Sequence, residues 1–393
     1  MTKILKQKLF ETDVSNQINV SNVLNIIREK GPISRAEISK LSNLNKATIT
    51  LIVEDLLKKQ FVHEIGEGKS TGGRKPILVN FNSNAGYIIG LELNIGYINA
   101  TLVNLSAEIQ IDKTVSINTN ENEIIKQIFQ LIDDLKGLAP SSPLGIVGIG
   151  VGVSGIVSFE SGIIISVPNA GIKNLPLKHM VEAHTGIYTI VDNDVNAAVI
   201  GEYMYGAGKG RNDLILVSNS SRGIGLGIYL NGKIYRGFDG FAGEMGHSTI
   251  NMDGPRCNCG NRGCWELYAS SKALMDLYAK TKQLNEPVSV AEIIELADKG
   301  DHIAITTLTQ IGEYLGIGLT NIVNTFNPDM IILRGMIGQA GKWIFNSIHR
   351  TLMERSFVYS SSKVDIIPSL FDKNAVAIGS ACEIIQQIFY TSE

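Results

Sequence analysis

Gly254-Pro-Arg-Cys-Asn-Cys-Gly-Asn-Arg-Gly-Cys-Trp-Glu-Leu-Tyr-Ala-Ser270 carries three cysteines within eight residues, and Gly243-Glu244-Met245-Gly246-His247 lies just upstream. Three thiols and one imidazole complete a tetrahedral zinc set, and Gly260 and Gly263 permit the tight loop such ligands need. The spacing Cys257-x-Cys259-x4-Cys264 therefore points to Zn2+ on His247, Cys257, Cys259 and Cys264. Three free thiols in a reducing cytosol are the plain alternative. Such a set leaves no coordination position open, so the expected metal is structural rather than catalytic. Zinc on one ring nitrogen of His247 also fixes its tautomer and leaves the other nitrogen as an oriented donor. Trp265-Glu266 follows the last thiol directly, so the loop would hold Glu266 rigid.

Glu244, Glu266 and Asp194 are acceptors, and Asn193 and His247 can donate. A sugar presents vicinal hydroxyls that both give and accept, and paired carboxylates with amides satisfy them. Each residue taken singly reads as a surface charge, and Asn193-Asp194 read alone serve to cap a helix. The case for a sugar site rests on their converging.

Outward from this block, a pattern occurs twice. Residues 86–93, 97–104 and 108–117 read as three strands, followed by a helix carrying Ile124, Ile125, Ile128, Leu131, Ile132 and Leu135 and a Gly-rich strand over 146–153. In the second half, 213–219 is a strand, and 225–230 and 233–235 form a hairpin around Asn231-Gly232. A long insertion precedes a helix over 304–326 and a strand over 330–333. Two meander–helix–strand units in tandem predict a duplicated α/β fold with a cleft between lobes, the architecture of actin-like sugar kinases. Such clefts are the usual ligand sites.

The first 82 residues read differently. They hold thirteen Lys and Arg against eight Asp and Glu, while the remainder holds 22 against 30, within a net charge of −3. A basic head on an acidic body implies an anionic partner at one end only. Val20, Val23, Leu24 and Ile27 follow helical spacing, and Gly31-Pro32 ends that helix. Ser34-Arg35-Ala36-Glu37 is a capping box for a short helix with Ile38 and Leu41 inward. After Asn43-Leu44-Asn45, a longer helix buries Ile49, Ile52, Val53, Leu56 and Leu57. It exposes Asn45, Lys46, Thr48 and Thr50, the short polar side chains that suit a helix in a major groove. Strands over 61–65 and 77–81 then flank a loop carrying Lys69, Ser70, Arg74 and Lys75, a basic hairpin tip that reads as a wing on DNA phosphates. A small helical interaction domain with merely solvated charges is the alternative.

Composition excludes other classes. At 393 residues, 44% hydrophobic and 19% charged, the chain is an ordinary globular one, long enough for two or three domains. Residues 1–10 contain no apolar core of a secretory signal, and the longest apolar run, 144–157, is too short to span a bilayer. With four cysteines and a clustered metal set, a cytoplasmic protein is expected.

Together these segments resemble the ROK family of repressors and sugar kinases, over nearly the whole chain. The anchors are residues 148–157, Pro168-Asn169-Ala170, 193–202, 243–247 and 257–266. The 254–270 run and Gly316-Ile-Gly-Leu-Thr-Asn-Ile-Val-Asn-Thr-Phe-Asn-Pro328 look particularly like the xylose-repressor branch of low-GC Gram-positive bacteria. The resemblance implies a winged helix-turn-helix head over 1–82 and a two-lobed actin-like sugar-sensing domain with a zinc loop over 83–393. Lobe one would take about 83–198 plus the C-terminal helix, about 375–393, and lobe two about 199–374.

It further implies that Gly155, Asn169, Asn193, Asp194, Glu244, His247 and Glu266 contact sugar hydroxyls. The residue matching Asp194 is the base in the kinases, though a carboxylate can equally just accept a hydrogen bond. His247, Cys257, Cys259 and Cys264 match the family's zinc ligands, and residues 45–57 its recognition helix. The kinases' Asp followed by Gly-Gly-Thr is here Glu92-Leu93-Asn94-Ile95-Gly96-Tyr97. Their second phosphate loop reads Ser220-Ser221-Arg222-Gly223, and their later Gly-Gly pair is Arg334-Gly335. Phosphoryl transfer needs small residues and backbone N–H groups at the phosphates, so the expectation is a sugar sensor that does not use ATP. It would act as a homodimer or higher assembly on a palindromic double-stranded operator, with D-xylose favoured as free effector and D-glucose next. A sugar kinase with a DNA-binding head, or a glucose-responsive regulator, is the alternative.

Overall fold

The computed structural model describes residues 14–68, 75–118, 120–167, 170–357 and 364–389. The head comprises α1 (Val14–Lys30), β1 (Ile33–Ser34), α2 (Arg35–Ser42), α3 (Lys46–Lys58), β2 (Val62–Glu67) and β3 (Ile77–Phe81), with sheet order β1-β3-β2. The capping box forms: Ser34 Oγ accepts from Glu37 N, and the Glu37 carboxylate accepts from Ser34 N. Asn43, in the left-handed region at φ 57°, ends α2. Ile49, Ile52, Val53 and Leu56 are buried, whereas Leu41, expected to face inward, is 53% exposed. It stands three residues beyond buried Ile38 on a helix of only eight residues, and Ile38 is that helix's only buried side chain.

The body contains two five-stranded sheets of the same plan. In the first, β4 (Tyr87–Asn94), β5 (Tyr97–Asn104) and β6 (Ile109–Ser116) form an antiparallel meander, and β7 (Ile146–Val153) and β11 (Thr189–Asn193) add in parallel beside β4. The helix α4 (Glu121–Leu138) buries Ile124, Ile128, Leu131, Ile132 and Leu135. Between β7 and β11 lie a small sheet of β8 (Ile156–Ser158), β9 (Ile163–Val167) and β10 (Ile172–Leu175), then α5 (Leu177–Thr185).

Helix α6 (Asp194–Met204) leads into the second sheet. There β12 (Leu214–Ser220), β13 (Gly223–Leu230) and β14 (Lys233–Ile234) form the meander, with β15 (Met330–Arg334) and β16 (Asp365–Pro368) parallel to β12. Asn231 and Gly232 both take positive φ at the hairpin turn, as the two-residue turn requires. The insertion supplies α7 (Glu266–Ala269), α8 (Ser271–Lys282) and α9 (Val290–Asp298); α10 (His302–Phe326), α11 (Lys342–Arg355) and α12 (Ala375–Phe389) complete the chain.

Two helices cross between the sheets. Helix α12 follows the second sheet yet packs on β4 and β7 of the first, and α6 follows the first yet packs on β12 and β13 of the second. Glycines make the approach possible. A Cβ on Gly90 would meet the Ala377 carbonyl at 1.9 Å, and one on Gly150 the Ser380 carbonyl at 2.0 Å. This is why the 146–153 strand is Gly-rich. The far end of α12 docks on the head: Asn25 Nδ2 donates to the Phe389 carbonyl at 2.7 Å, and Phe81 meets the Phe389 ring edge-on at 5.8 Å.

Candidate metal centre and interlobe cleft

The loop from His247 to Cys264 is held by its own backbone. Antiparallel bridges join Thr249 to Cys264 and Arg256 to Arg262, and Gly260 and Gly263 take φ 94° and 63°. The His247, Cys257, Cys259 and Cys264 ligand atoms all lie within 4.8 Å of one another. His247 Nδ1 is 3.7 Å from Cys257 Sγ, and Cys259 Sγ is 3.7 Å from Cys264 Sγ. Bond lengths of about 2.3 Å to sulfur and 2.0 Å to nitrogen give tetrahedral edges of about 3.5–3.8 Å, so the set fits Zn2+. Burial pushes the Cys257 thiol up to about 12; a bound dication reverses that preference and holds the ligands as thiolates. Nδ1 of His247 faces the thiols, and Nε2 faces Glu244 Oε2 at 3.9 Å.

Beside the cluster lies a cavity of about 290 Å³ between the sheets. Gly155, Asn193, Asp194, Glu244, His247 and Glu266 all line it. The structure thus brings six of the seven proposed sugar contacts together; Asn169 lies outside the described residues. A larger hollow of about 540 Å³ between α10 and α11 contains none of them. Glu266 faces both ways. Its Oε1 is 3.2 Å from His247 Nδ1 and accepts from Cys257 Sγ at 3.2 Å. Its Oε2 lies so near Gly223 that a Cβ there would come within 2.2 Å.

Asn193 caps α6. Its Oδ1 accepts from Val195 N at 2.8 Å and Asn196 N at 3.3 Å, and its Nδ2 donates to the Gly155 carbonyl at 3.1 Å. Capping and cavity lining therefore coincide in one side chain. Asp194 begins the helix, and burial raises its carboxyl to about 6 against the counter-pull of Arg334.

Two arginines cross between the sheets nearby, of which Arg222 lines the cavity. The Arg222 guanidinium, from the β12–β13 turn, donates to Asn94 Oδ1 and the Ile95 carbonyl in the β4–β5 turn. Arg334 lies 3.4 Å from the fully buried Glu92 and donates to Ser218 Oγ and the Asp372 carbonyl, each at 3.1 Å. Burial, with the neighbouring Glu92 charge, pushes the Tyr97 hydroxyl up to about 12.

On the head, Asn45, Lys46 and Thr50 are exposed along α3 and Thr48 is half-buried. Asn45 Oδ1 accepts from Thr48 N at 2.8 Å, so its carbonyl is spent on the helix cap. Thr50 Oγ1 donates to the Lys46 carbonyl. Lys75 pairs with Glu67 at 3.5 Å; Lys69, Ser70 and Arg74 lie outside the described residues.

Sequence reasoning missed three features. Leu51, 68% exposed beside Thr50, offers an apolar surface of the kind that meets a thymine methyl. Ser154 lines the cavity through its place after β7. Arg236 donates to Asp192 Oδ2 from Nε at 2.9 Å and Nη2 at 2.6 Å, and to Glu383 Oε1 at 3.1 Å. Only the 44-residue separation from Asp192 and the 147 from Glu383 hid that triad.

The ROK family model matches residues 88–387, and the MarR family model matches residues 21–64 within the winged helix-turn-helix head. The chain is 40% identical over 372 residues to the xylose repressor of Bacillus spizizenii, covering 94% of this chain and 95% of that one. A crystal structure of a ROK family transcriptional regulator, a homologue of the E. coli MLC protein, superposes with TM-score 0.84 at 31% identity, over 96% of this chain and 97% of that one. A ROK family glucokinase from Streptomyces griseus, solved with glucose and AMPPNP, superposes with TM-score 0.67 at 26% identity, over 75% of this chain and 98% of that one. With a family model spanning most of its length and relatives alike from end to end, this chain belongs to the ROK family.

Proposed function

We propose that this chain is a sugar-responsive transcriptional repressor, with residues 1–82 as its DNA-binding head and 83–393 as its sensing domain. The observation that carries this reading is the asymmetry of the cleft. Six polar or glycine positions suited to hydroxyls line it beside a Cys3His set, while Arg222 lines it from the β12–β13 turn and Arg334 is buried behind it on Glu92 and Ser218. A cavity of about 290 Å³ suits a monosaccharide and lies at the small end of ligand pockets. In a kinase the space at these arginines would have to admit nucleotide phosphates and metal. Here a guanidinium from one turn, bonded across to the other, takes that space, so the chain senses sugar without phosphorylating it.

Asp194, Glu244 and Glu266 accept from sugar hydroxyls in this reading, and Asn193 and His247 orient them. His247, Cys257, Cys259 and Cys264 hold Zn2+, which supplies rigidity to the wall carrying His247 and Glu266. D-xylose is the effector, in keeping with the name of the Bacillus relative. A dimer sets two recognition helices on half-sites about 34–36 Å apart. Sugar releases DNA to the extent that it binds the DNA-incompetent arrangement more tightly.

The test is a thermal-shift titration of the zinc-loaded chain with D-xylose, D-glucose and MgATP. A ligand of the native state raises the midpoint with its concentration. A shift with D-xylose, lost in Glu266→Ala, supports the reading; a shift with D-glucose alone reassigns the effector. ATP turnover with either sugar would restore the kinase reading and overturn this one.

A further inference from the structure

Helix α12 joins the cleft to the head, and one buried ion triad fastens it to the cleft wall. Arg236 lies in the loop after β14, and that loop runs on to Phe241 and Ala242, which line a small adjoining hollow of about 30 Å³, and to Glu244, which lines both that hollow and the cavity. Its guanidinium bonds Asp192 and Glu383, both 3% exposed at the side chain. Asp192 in turn accepts from the backbone N–H of Asn193 at 2.7 Å, and Asn193 lines the cavity. The guanidinium also stacks on Phe159, 3.7 Å from the ring centroid. Burial and the neighbouring Asp192 charge hold the Glu383 carboxyl well above the usual carboxylate range.

Six residues further along α12, Phe389 is gripped by the head. Asn25 donates to its carbonyl, Phe81 packs on its ring, and the Arg28 guanidinium lies 4.7 Å over it. Before Glu383 the helix is seated on glycine-lined strands at backbone contact, at Ala377 and Ser380, and between the two ends a Cβ on Gly148 would meet the Ile384 side chain at 2.4 Å. It has little room to absorb a shift locally, because close-packed interiors transmit displacement.

We infer that Arg236 is a positioning residue that couples the sugar cleft to the DNA-binding head, through Glu383 and helix α12. The inference rests on the repressor reading above. A ligand that closes on Asn193 and Glu244 moves both supports of Arg236, Asp192 and the 235–244 loop. The guanidinium carries that movement to Glu383, and α12 delivers it to Asn25 and Phe81.

The test measures coupling, the ratio of DNA dissociation constants with and without saturating D-xylose. The DNA is a palindromic duplex selected from a random pool by the wild-type chain. Glu383→Met removes the acceptor from α12 and leaves Arg236 paired with Asp192. Glu383→Gln keeps an acceptor. Wild-type coupling is expected at about fivefold or more, the usual floor for linked sites. In Glu383→Met it falls toward one, while D-xylose affinity without DNA stays within about twofold, and Glu383→Gln restores most of it. Asn25→Ala, on α1 where the head holds the end of α12, gives the same loss and serves if Glu383→Met does not fold. Wild-type coupling that survives in Glu383→Met and Asn25→Ala overturns the relay alone. A wild-type chain without coupling overturns the repressor reading, and the relay with it.

Discussion

Trp265 lies flat against Gly318: a Cβ added at Gly318 would stand 2.0 Å from Cε2 of the indole. The indole Nε1 donates to the Tyr314 carbonyl of the same helix at 2.8 Å. Trp265 is fully buried and sits between Cys264 and Glu266, so α10 seats the residue joining metal loop to cleft. Gly318→Ala gains about 1 kcal/mol of helix propensity and costs about 1–3 kcal/mol by overpacking, with displacement of Glu266 besides. A lower Tm and weaker D-xylose binding are expected. An unchanged Tm would show that the indole yields freely.

Stripping zinc with a chelator should weaken D-xylose binding about 10–100-fold, the usual size of effects at residues orienting a metal's ligands, taken here in reverse. The isolated chain should carry one zinc, and adding zinc back should restore binding. Sugar affinity indifferent to the chelator would separate the metal loop from the cleft.

Asp194 gives a pH dependence. Its carboxyl titrates at about 6 in the fold against 3.8 ordinarily. A carboxyl raised on folding favours the fold fully below its unfolded value, and that contribution is lost as pH rises through about 6. Above that pH the buried charge costs up to about 3 kcal/mol. Asp194→Asn should therefore match wild type near pH 4 and exceed its stability above pH 7. Urea unfolding at both pH values checks this; an equal difference at the two would contradict it.

Arg334→Met leaves the buried Glu92 without its ion-pair partner. Breaking a buried pair from one side costs about 3–5 kcal/mol, and removing both charges costs far less. Glu92→Gln in the same chain should recover most of the loss, as a double-mutant cycle in urea would measure. No recovery would mean that the pair is not coupled.

Replacing Arg74 and Lys75 with Ala should lower the salt slope of DNA binding by about 2, since each phosphate contact contributes about 0.9. Lys75 is the one of the two whose position is described, and its surface pair with Glu67 is no barrier to such a role. An unchanged slope would remove both residues from the phosphate contacts.

The metal set, the helix-turn-helix and the tandem sheets were all legible in the sequence, because each depends on neighbours within one short window. Cysteine spacing sets which thiols can share an ion, the Ser34–Glu37 box starts α2, and Asn231-Gly232 places a hairpin. Donor and acceptor chemistry marked Asn193, Asp194, Glu244 and Glu266, family resemblance added Gly155, and the structure sets all five around one cavity.

The tertiary structure alone decided the relations that cross the chain. Arg222 stands in sequence where the kinases have their second phosphate loop, and only folding shows it bonded to Asn94 and Ile95 on the opposite lobe. Leu41 has an inward period, yet an eight-residue helix buries little beyond Ile38. Arg236 has no local signal at all: its partners are 44 and 147 residues away, brought together where two sheets close around α6 and α12. Local chemistry specifies elements and ligand sets. Which charges share a buried space depends on how the close-packed layers meet, and no short window of sequence contains that.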